Sequence, residues 1–433
     1  MNTMHPKQYV GMAMRQLADV PGIAPGSTGR PIRKVGIIGA GLMGSGIAVC
    51  FLGATVPTVL VDQSEEALSR GRKAVRKDLA TGVKKGFLTE DQAKGLQVLL
   101  TTTVDYDALS DCDLIIEAVF ERMDIKETVF RRLGEVAKPG AILATNTSGL
   151  DVDHIAEASG RPEDVIGLHF FSPAFIMPLL EIVRGAKTAP EVLRTALFVS
   201  MTIRKIGVVV GNCFGFAANR SLEGYGRESE MLALEGANPE DIDKALVNYG
   251  FPMGPCTMGD LAGVDVRCHV LDSMHDAGLV ADDPRYGALS KALLAEGRLG
   301  QKTGAGMYDY GEDGRTPIPS QKVRQIRDRI AAELGIKPRK ISEEEIVERC
   351  MLPVVNEIAK ILDEGIISHA SDADVLWIYG YGFPAAKGGP VYQARLQGFG
   401  KVHETLVSYQ KKDPDFGDAY WAPSPALRNL FTD

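Results

Sequence analysis

Two residues near the middle of this chain interrupt apolar runs that otherwise read as buried strands. His169 lies in Gly167-Leu168-His169-Phe170-Phe171-Ser172-Pro173, and Glu181 in Pro178-Leu179-Leu180-Glu181-Ile182-Val183. A carboxylate inside such a run is costly unless paired, and a nearby imidazole is a natural partner. Together they suit a general base and the group that orients it, as needed to take a hydroxyl proton while hydride leaves the same carbon. A core histidine and an edge-strand glutamate fit the same pattern, so spacing alone leaves both readings open. Ser148, in Ala144-Thr145-Asn146-Thr147-Ser148-Gly149, follows a third strand-like run. Ligands of open α/β sheets bind beyond the carboxyl ends of strands, which would let Ser148 reach a cofactor or substrate oxygen. The plainer alternative is a polar loop leading into a helix near Val152.

The hydride acceptor is read from residues 35–62, VGIIGAGLMGSGIAVCFLGATVPTVLVD. A β-rich run over residues 35–38 meets Gly39-Ala40-Gly41-Leu42-Met43-Gly44. An apolar helical stretch follows, and a second β-rich run, residues 56–61, ends on Asp62. This is the whole strand–helix–strand context of a dinucleotide fingerprint, far more specific than its glycines alone. Gly39 permits the tight turn, Gly41 lets the Leu42-Met43 loop backbone approach a pyrophosphate, and Gly44 lets helix and strand pack closely. The pyrophosphate sits on the helix N-terminus, where free N–H groups and the helix dipole favour an anion. Asp62 suits the ribose hydroxyls of adenosine and repels a 2′-phosphate, so NAD is expected over NADP. No charge stands between Lys34 and Asp62, but the glycines and Pro57 break the stretch too often for a membrane span of about 20 helical residues.

Those residues need a scaffold that sets strand ends side by side. Residues 34–211 alternate strand-like and helix-like patterns, with further strand-like runs at 114–116, 141–144, 165–171 and 179–183. An α/β Rossmann-type domain with a mostly parallel sheet is expected there. Thr188-Ala189-Pro190 before Glu191 predicts a helix start. From Asn212 the pattern is helical and duplicated. Leu234-Glu235-Gly236, Asp241-Ile242-Asp243, Gly250-Phe251-Pro252 and Gly254-Pro255 return in order as Asp363-Glu364-Gly365, Asp372-Ala373-Asp374, Gly382-Phe383-Pro384 and Gly389-Pro390. Two similar all-α domains, 212–310 and 341–433, are expected to pack on each other as dimer subunits do. The polar stretch 311–340 reads as their connection. Residues 1–33, with Pro6, Pro21, Pro25 and Pro31 and a short helix over 9–20, read as a linker that packs on something.

Composition narrows the classes. A chain of 433 residues suffices for two or three domains, and 45% apolar with 24% charged residues is ordinary for a globular chain. The net charge of -8 argues against nucleic acid as the main partner. No two of the six cysteines form a CxxC pair, so no metal site is expected. No secretory pattern opens the chain, and the closing Leu430-Phe431-Thr432-Asp433 is not a peroxisomal address, so a cytoplasmic location is expected. A basic cluster, Arg70, Arg72, Lys73, Arg76, Lys77, Lys84 and Lys85, puts pairs on one helical face. It reads as a solvated surface or as a seat for a phosphate-bearing ligand.

Taken together, the motifs resemble the 3-hydroxyacyl-CoA dehydrogenase family. The matching elements are residues 39–46, Glu117-Ala118-Val119-Phe120-Glu121, Asn146-Thr147-Ser148, residues 169–173, Glu181, Gly215-Phe216-Ala217-Ala218-Asn219-Arg220 and Lys302-Thr303-Gly304-Ala305-Gly306. The duplicated helical part looks like the dehydrogenase portion of multifunctional β-oxidation enzymes, and residues 1–33 like the linker that follows their hydratase domain, with no hydratase domain before it here. The resemblance implies NAD-dependent oxidation of an (S)-3-hydroxyacyl-CoA to the 3-oxoacyl-CoA in fatty-acid β-oxidation. His169 would be the base and Glu181 its orienting carboxylate, with Ser148 and Asn219 on the reacting oxygen or thioester. Glu121, Lys126, Ser148, Ser172 and Lys302 would surround the cofactor, and Lys84 and Lys85 would meet coenzyme A. Two departures stand out: Ser172, where many members have Asn, and Gly149, where single-function members often have Ser. The implied partners are an acyl-CoA thioester and a separate hydratase and thiolase. The duplication leads to the expectation of a monomer, its second copy structural.

Overall fold

The computed structural model describes residues 4–24 and 26–431, so Pro25 of the N-terminal segment and Thr432 and Asp433 lie outside it. The chain divides into two compact units, Gln8–Arg220 with Glu364–Tyr381, and residues 4–7 with Ser221–Asp363 and 382–431.

The first unit is built on eight strands: β1 (Val35–Ile38), β2 (Thr58–Val61), β3 (Leu100–Thr103), β4 (Leu114–Glu117), β5 (Ile142–Thr145), β6 (Val165–Phe170), β7 (Leu179–Arg184) and β8 (Ile206–Gly211). They form one sheet in the order β3-β2-β1-β4-β5-β6-β7-β8. Every pairing is parallel except β6 with β7. The central strands are short and apolar on both faces because helices cover both sides. Ile37, Leu60, Ile116 and Ile142 fill one core, while Ile38, Val61, Ile115 and Leu143 fill the other. The first six strands give the doubly wound order, whose ligand crevice opens beyond the carboxyl ends of β1 and β4. Strands β3 and β8 were not among the expected runs. The first is a half-exposed edge of threonines with no apolar face, and the second carries glycines at positions 207 and 211 that weaken a strand pattern.

The N-terminal segment does pack. Its helix, Pro6–Gln16, buries Tyr9 and Ala13, and the Tyr9 phenol donates to Asp374 at 2.6 Å. Asp374 belongs to the helix Ala370–Tyr381, almost wholly buried, which groups with the sheet unit rather than with the rest of residues 341–433.

In the second unit the two sequence copies meet reciprocally. A Cβ built on Gly250 would lie 3.0 Å from Pro384, and one on Gly382 would lie 2.7 Å from Pro252. Between them the Phe251 and Phe383 rings pack edge to face, 5.4 Å between centroids. The stretch expected as a plain connection holds a helix, Gln321–Glu333, which buries Val323, Ile326 and Ala331. Its many charges hide that narrow apolar stripe. Among the described residues no helix is long and apolar enough to cross a membrane.

Arg349, on the helix Glu343–Asp363, holds this unit by charge. It is 6% exposed and donates to Glu228 at 2.8 Å and to Glu235 at 2.7 Å. Removing one member of a buried pair strands the other, so Arg349→Ala should lose about 3–5 kcal/mol in urea unfolding. A loss below about 1 kcal/mol would show the network to be solvated.

Candidate active site

The reversal of direction at β6–β7 sets His169 directly opposite Glu181 in register. Cross-strand neighbours on one face are the closest side chains a sheet offers. His169 Nδ1 lies 2.7 Å from Glu181 Oε2. Glu181 has no exposure, and its Oε1 accepts the Ala218 N–H at 2.9 Å, in the first turn of the helix Phe216–Leu234. Both carboxylate oxygens are therefore satisfied, one by an imidazole and one by a helix N-terminus that favours negative charge. With Nδ1 held by Glu181, Nε2 is the nitrogen left to exchange a proton. The ring is fixed from its sides as well, with Phe171 at 4.6 Å and Phe216 at 5.7 Å between centroids.

At the carboxyl ends of β4 and β5 stands a buried charge network. Lys126, with no exposure, donates to Glu117 at 2.7 Å and to the Asn146 carbonyl at 3.0 Å, and lies 3.5 Å from Glu121. Burial pushes the Glu117 carboxyl above the ordinary range, against the pull of Lys126, Thr145 and the Val119 N–H. At Glu121 the balance is opposite. Burial raises it, but Lys126 and the Thr147 and Ser148 donors outweigh burial and hold it low. One Glu121 oxygen accepts from Thr147 Oγ1 at 2.7 Å, Ser148 N at 2.8 Å and Ser148 Oγ at 2.9 Å. Ser148 is thereby fixed at the strand end, and Asn219 Nδ2 donates to its carbonyl at 3.1 Å.

The glycine loop is shaped for an anion of some size. Gly39 has φ of 102°, and a Cβ there would lie 2.4 Å from the Ala118 carbonyl. A Cβ on Gly44 would lie 1.8 Å from the Gly39 carbonyl, so helix and turn are in direct backbone contact. A Cβ on Gly41 would meet nothing within 4 Å, and Gly41 caps the helix Leu42–Gly53. Leu42 is exposed and Met43 half-buried beside it. Asp62 Oδ2 accepts the Ala40 N–H at 2.7 Å, which ties the end of β2 to the loop. Open space over free helix N–H groups, with a carboxylate at the next strand end, fits a dinucleotide.

Ser172 is exposed just past β6, and Lys84 and Lys85 are exposed at the C-terminus of the helix Glu65–Lys84. Arg72 of the basic cluster is already engaged with Thr102 at 2.7 Å. Lys302 belongs to the other unit, where it pairs with Asp265 at 2.5 Å. Three residues of the site were not singled out from sequence. Glu117 had a visible signal, an acid closing the apolar run 114–116. Lys205 is buried and donates to the Ala174 and Met177 carbonyls at 2.5 Å, bracing the turn between β6 and β7, and burial lowers its pKa. Tyr381 had no signal. Its phenol donates to Asn219 Oδ1 at 2.8 Å.

Residues 34–213 match the model of the 3-hydroxyacyl-CoA dehydrogenase NAD binding domain, and residues 215–310 that of the C-terminal domain. The chain is 39% identical over 414 residues to the human peroxisomal bifunctional enzyme, covering 93% of this chain and 57% of the relative. It thus spans little more than half the length of the curated relatives it matches. The dehydrogenase part of multifunctional enzyme 1 from C. elegans superposes with a TM-score of 0.71 at 30% identity, covering 99% of this chain and 98% of that one. For 3-hydroxybutyryl-CoA dehydrogenase from Escherichia coli the TM-score is 0.80 at 27% identity, covering 93% and 98%.

Gly41 and Gly44 should separate binding from folding. Gly41→Ala should melt as the parent does yet weaken NADH binding about tenfold or more by fluorescence titration. Gly44→Ala should lower the melting temperature, since overpacking against backbone costs about 1–3 kcal/mol. Equal NADH affinity in Gly41→Ala would place the pyrophosphate elsewhere. The low Glu121 carboxyl also sets a pH dependence. Its stabilisation is complete above the unfolded carboxyl value of about 4.3 and is lost as pH falls through the lower folded value. In urea unfolding the parent should therefore lose stability more steeply below about pH 4.3 than Glu121→Gln. Parallel curves would show that Glu121 contributes nothing.

Proposed function

Because the chain belongs to the 3-hydroxyacyl-CoA dehydrogenase family, we propose that it reversibly oxidises (S)-3-hydroxyacyl-CoA at C3 to 3-oxoacyl-CoA in fatty-acid β-oxidation. The single observation that carries this reading is the His169–Glu181 pair, 2.7 Å apart and sheltered at the crevice end of the sheet. Bound NAD+ would supply the hydride acceptor for C3. His169 takes the hydroxyl proton on Nε2 and becomes an imidazolium. Glu181 stabilises that cation and keeps Nδ1 protonated, so the free nitrogen is always the acceptor. Asn219 donates to the reacting oxygen or the thioester carbonyl, where negative charge grows in the reduction direction, and Ser148 joins it by turning its hydroxyl from Glu121 to that oxygen. Gly39, Gly41 and Gly44 would seat the pyrophosphate and Asp62 the ribose, with Glu121 and Ser172 as further contacts; Lys126, fully buried, acts from behind by holding Glu121. Lys84 and Lys85, exposed and cationic, attract coenzyme A phosphates.

The reciprocal Gly250–Pro384 and Gly382–Pro252 contacts support reading residues 212–310 and 341–433 as two copies of one helical domain. With the second copy in cis, the minimal competent species is a monomer, and a hydratase and a thiolase act as separate partners. An acid-specific dehydrogenase would need an arginine clamp and would leave Lys84 and Lys85 idle, so inhibition by free coenzyme A favours the thioester reading.

Purified protein with NADH and acetoacetyl-CoA should consume NADH. His169→Ala should lower turnover by about 10²–10⁴, and Glu181→Gln should act in the same direction. A folded parent without activity would reject the reaction, and a His169→Ala variant with parental turnover would reject the base.

A further inference from the structure

The residue that reaches farthest across the sequence into this site comes from the second copy. Tyr381 closes the helix Ala370–Tyr381 and lies 162 positions from Asn219, to which its phenol donates at 2.8 Å. The same ring meets Phe171 edge on, 5.9 Å between centroids, and Phe171 lies against His169. Gly380 lets the helix approach: a Cβ there would lie 2.8 Å from Leu179 and 3.5 Å from Phe171. In the first copy the equivalent residue, Tyr249, does something else. It stacks on Phe251 and meets Phe383 and Lys387. The two copies share Tyr-Gly-Phe-Pro but not the use of the tyrosine.

The consequence lies in the orientation of an amide. An asparagine side chain offers an acceptor oxygen and two donors, and its environment decides which way it faces. Asn219 has the Ser148 carbonyl, which only accepts, on one side and the Tyr381 phenol on the other. A flipped amide would set its oxygen against the Ser148 carbonyl. The phenol, held un-ionised by burial and by the Glu181 charge, stays a donor. One Nδ2–H goes to Ser148, which leaves the other as the amide's remaining donor.

We infer that Tyr381 is a positioning residue for the reaction: it locks Asn219 with its amide donor turned toward the substrate oxygen. The second copy is then part of the active site, not the structural duplicate expected from sequence. This rests on the proposed function for its kinetic consequences, but not for the amide orientation itself.

Two measurements test it. Tyr381→Phe keeps the ring and removes only the hydroxyl. It should lower the turnover of acetoacetyl-CoA about tenfold, with parental melting temperature and NADH affinity. In an Asn219→Ala background the same change should have no further effect, since the tyrosine acts through the asparagine. Parental turnover in Tyr381→Phe, additive losses in the double variant, or loss of fold would each overturn the inference. The second readout needs no activity. In asparagine-labelled protein the side-chain NH2 resonances of Asn219, assigned by their loss in Asn219→Ala, should move on Tyr381→Phe. Unmoved resonances overturn the lock even if the reaction stands, while a moved pair in an inactive parent keeps the lock and rejects the reaction.

Discussion

One reversal of strand direction organises the site. In an otherwise parallel eight-stranded sheet, β6 and β7 run antiparallel, and that pairing alone places His169 across from Glu181. A carboxylate with no exposure survives there because each oxygen has a donor, His169 on one side and the Ala218 N–H on the other. Two neighbouring segments hold the pair in place. The turn after β6 is braced by Lys205 through two backbone carbonyls, and the helix that begins at Phe216 must start where Glu181 can receive it.

Around this pair the protein separates two kinds of electrostatics. Near the cofactor crevice, Lys126 is shared between Glu117 and Glu121, so a fully buried ammonium is surrounded by carboxylates and a carbonyl. At the C-terminal end of the helix Glu65–Lys84, whose other face buries Leu68, Val75 and Leu79, Lys84 and Lys85 stand in solvent, where charge is screened by salt. The first arrangement fixes geometry and holds strand ends and the Ser148 loop in place.

Duplication gives the chain symmetry in sequence without symmetry in use. The Gly-Phe-Pro segments exchange equivalent contacts, as two subunits would across a twofold axis. Elsewhere the copies have diverged in what they support. Asn219 stands in the site, whereas Arg349 of the second copy binds Glu228 and Glu235 inside the helical unit. Tyr249 packs among aromatic rings, whereas Tyr381 touches the site.

The sequence by itself determined whatever depends on neighbours along the chain. The dinucleotide loop is contained in residues 35–62, and Gly44 is demanded by the Gly39 carbonyl five positions away, although Gly39 itself answers to the distant Ala118 carbonyl. His169 and Glu181 are 12 positions apart, across one turn, so charge interrupting two adjacent apolar runs suggested the pair, and the β6–β7 register decided it. The alternating pattern likewise gave the parallel sheet, though not its threonine edge β3. Tertiary structure decided what joins distant segments: Ser148 with Asn219 across 71 positions, and Asn219 with Tyr381 across 162. It also placed the helix Ala370–Tyr381 with the sheet unit and buried Lys126 between two acids. Periodicity reports which face of an element is apolar, not which element will cover it. A residue whose role comes from that covering partner carries no mark of it in its own neighbourhood.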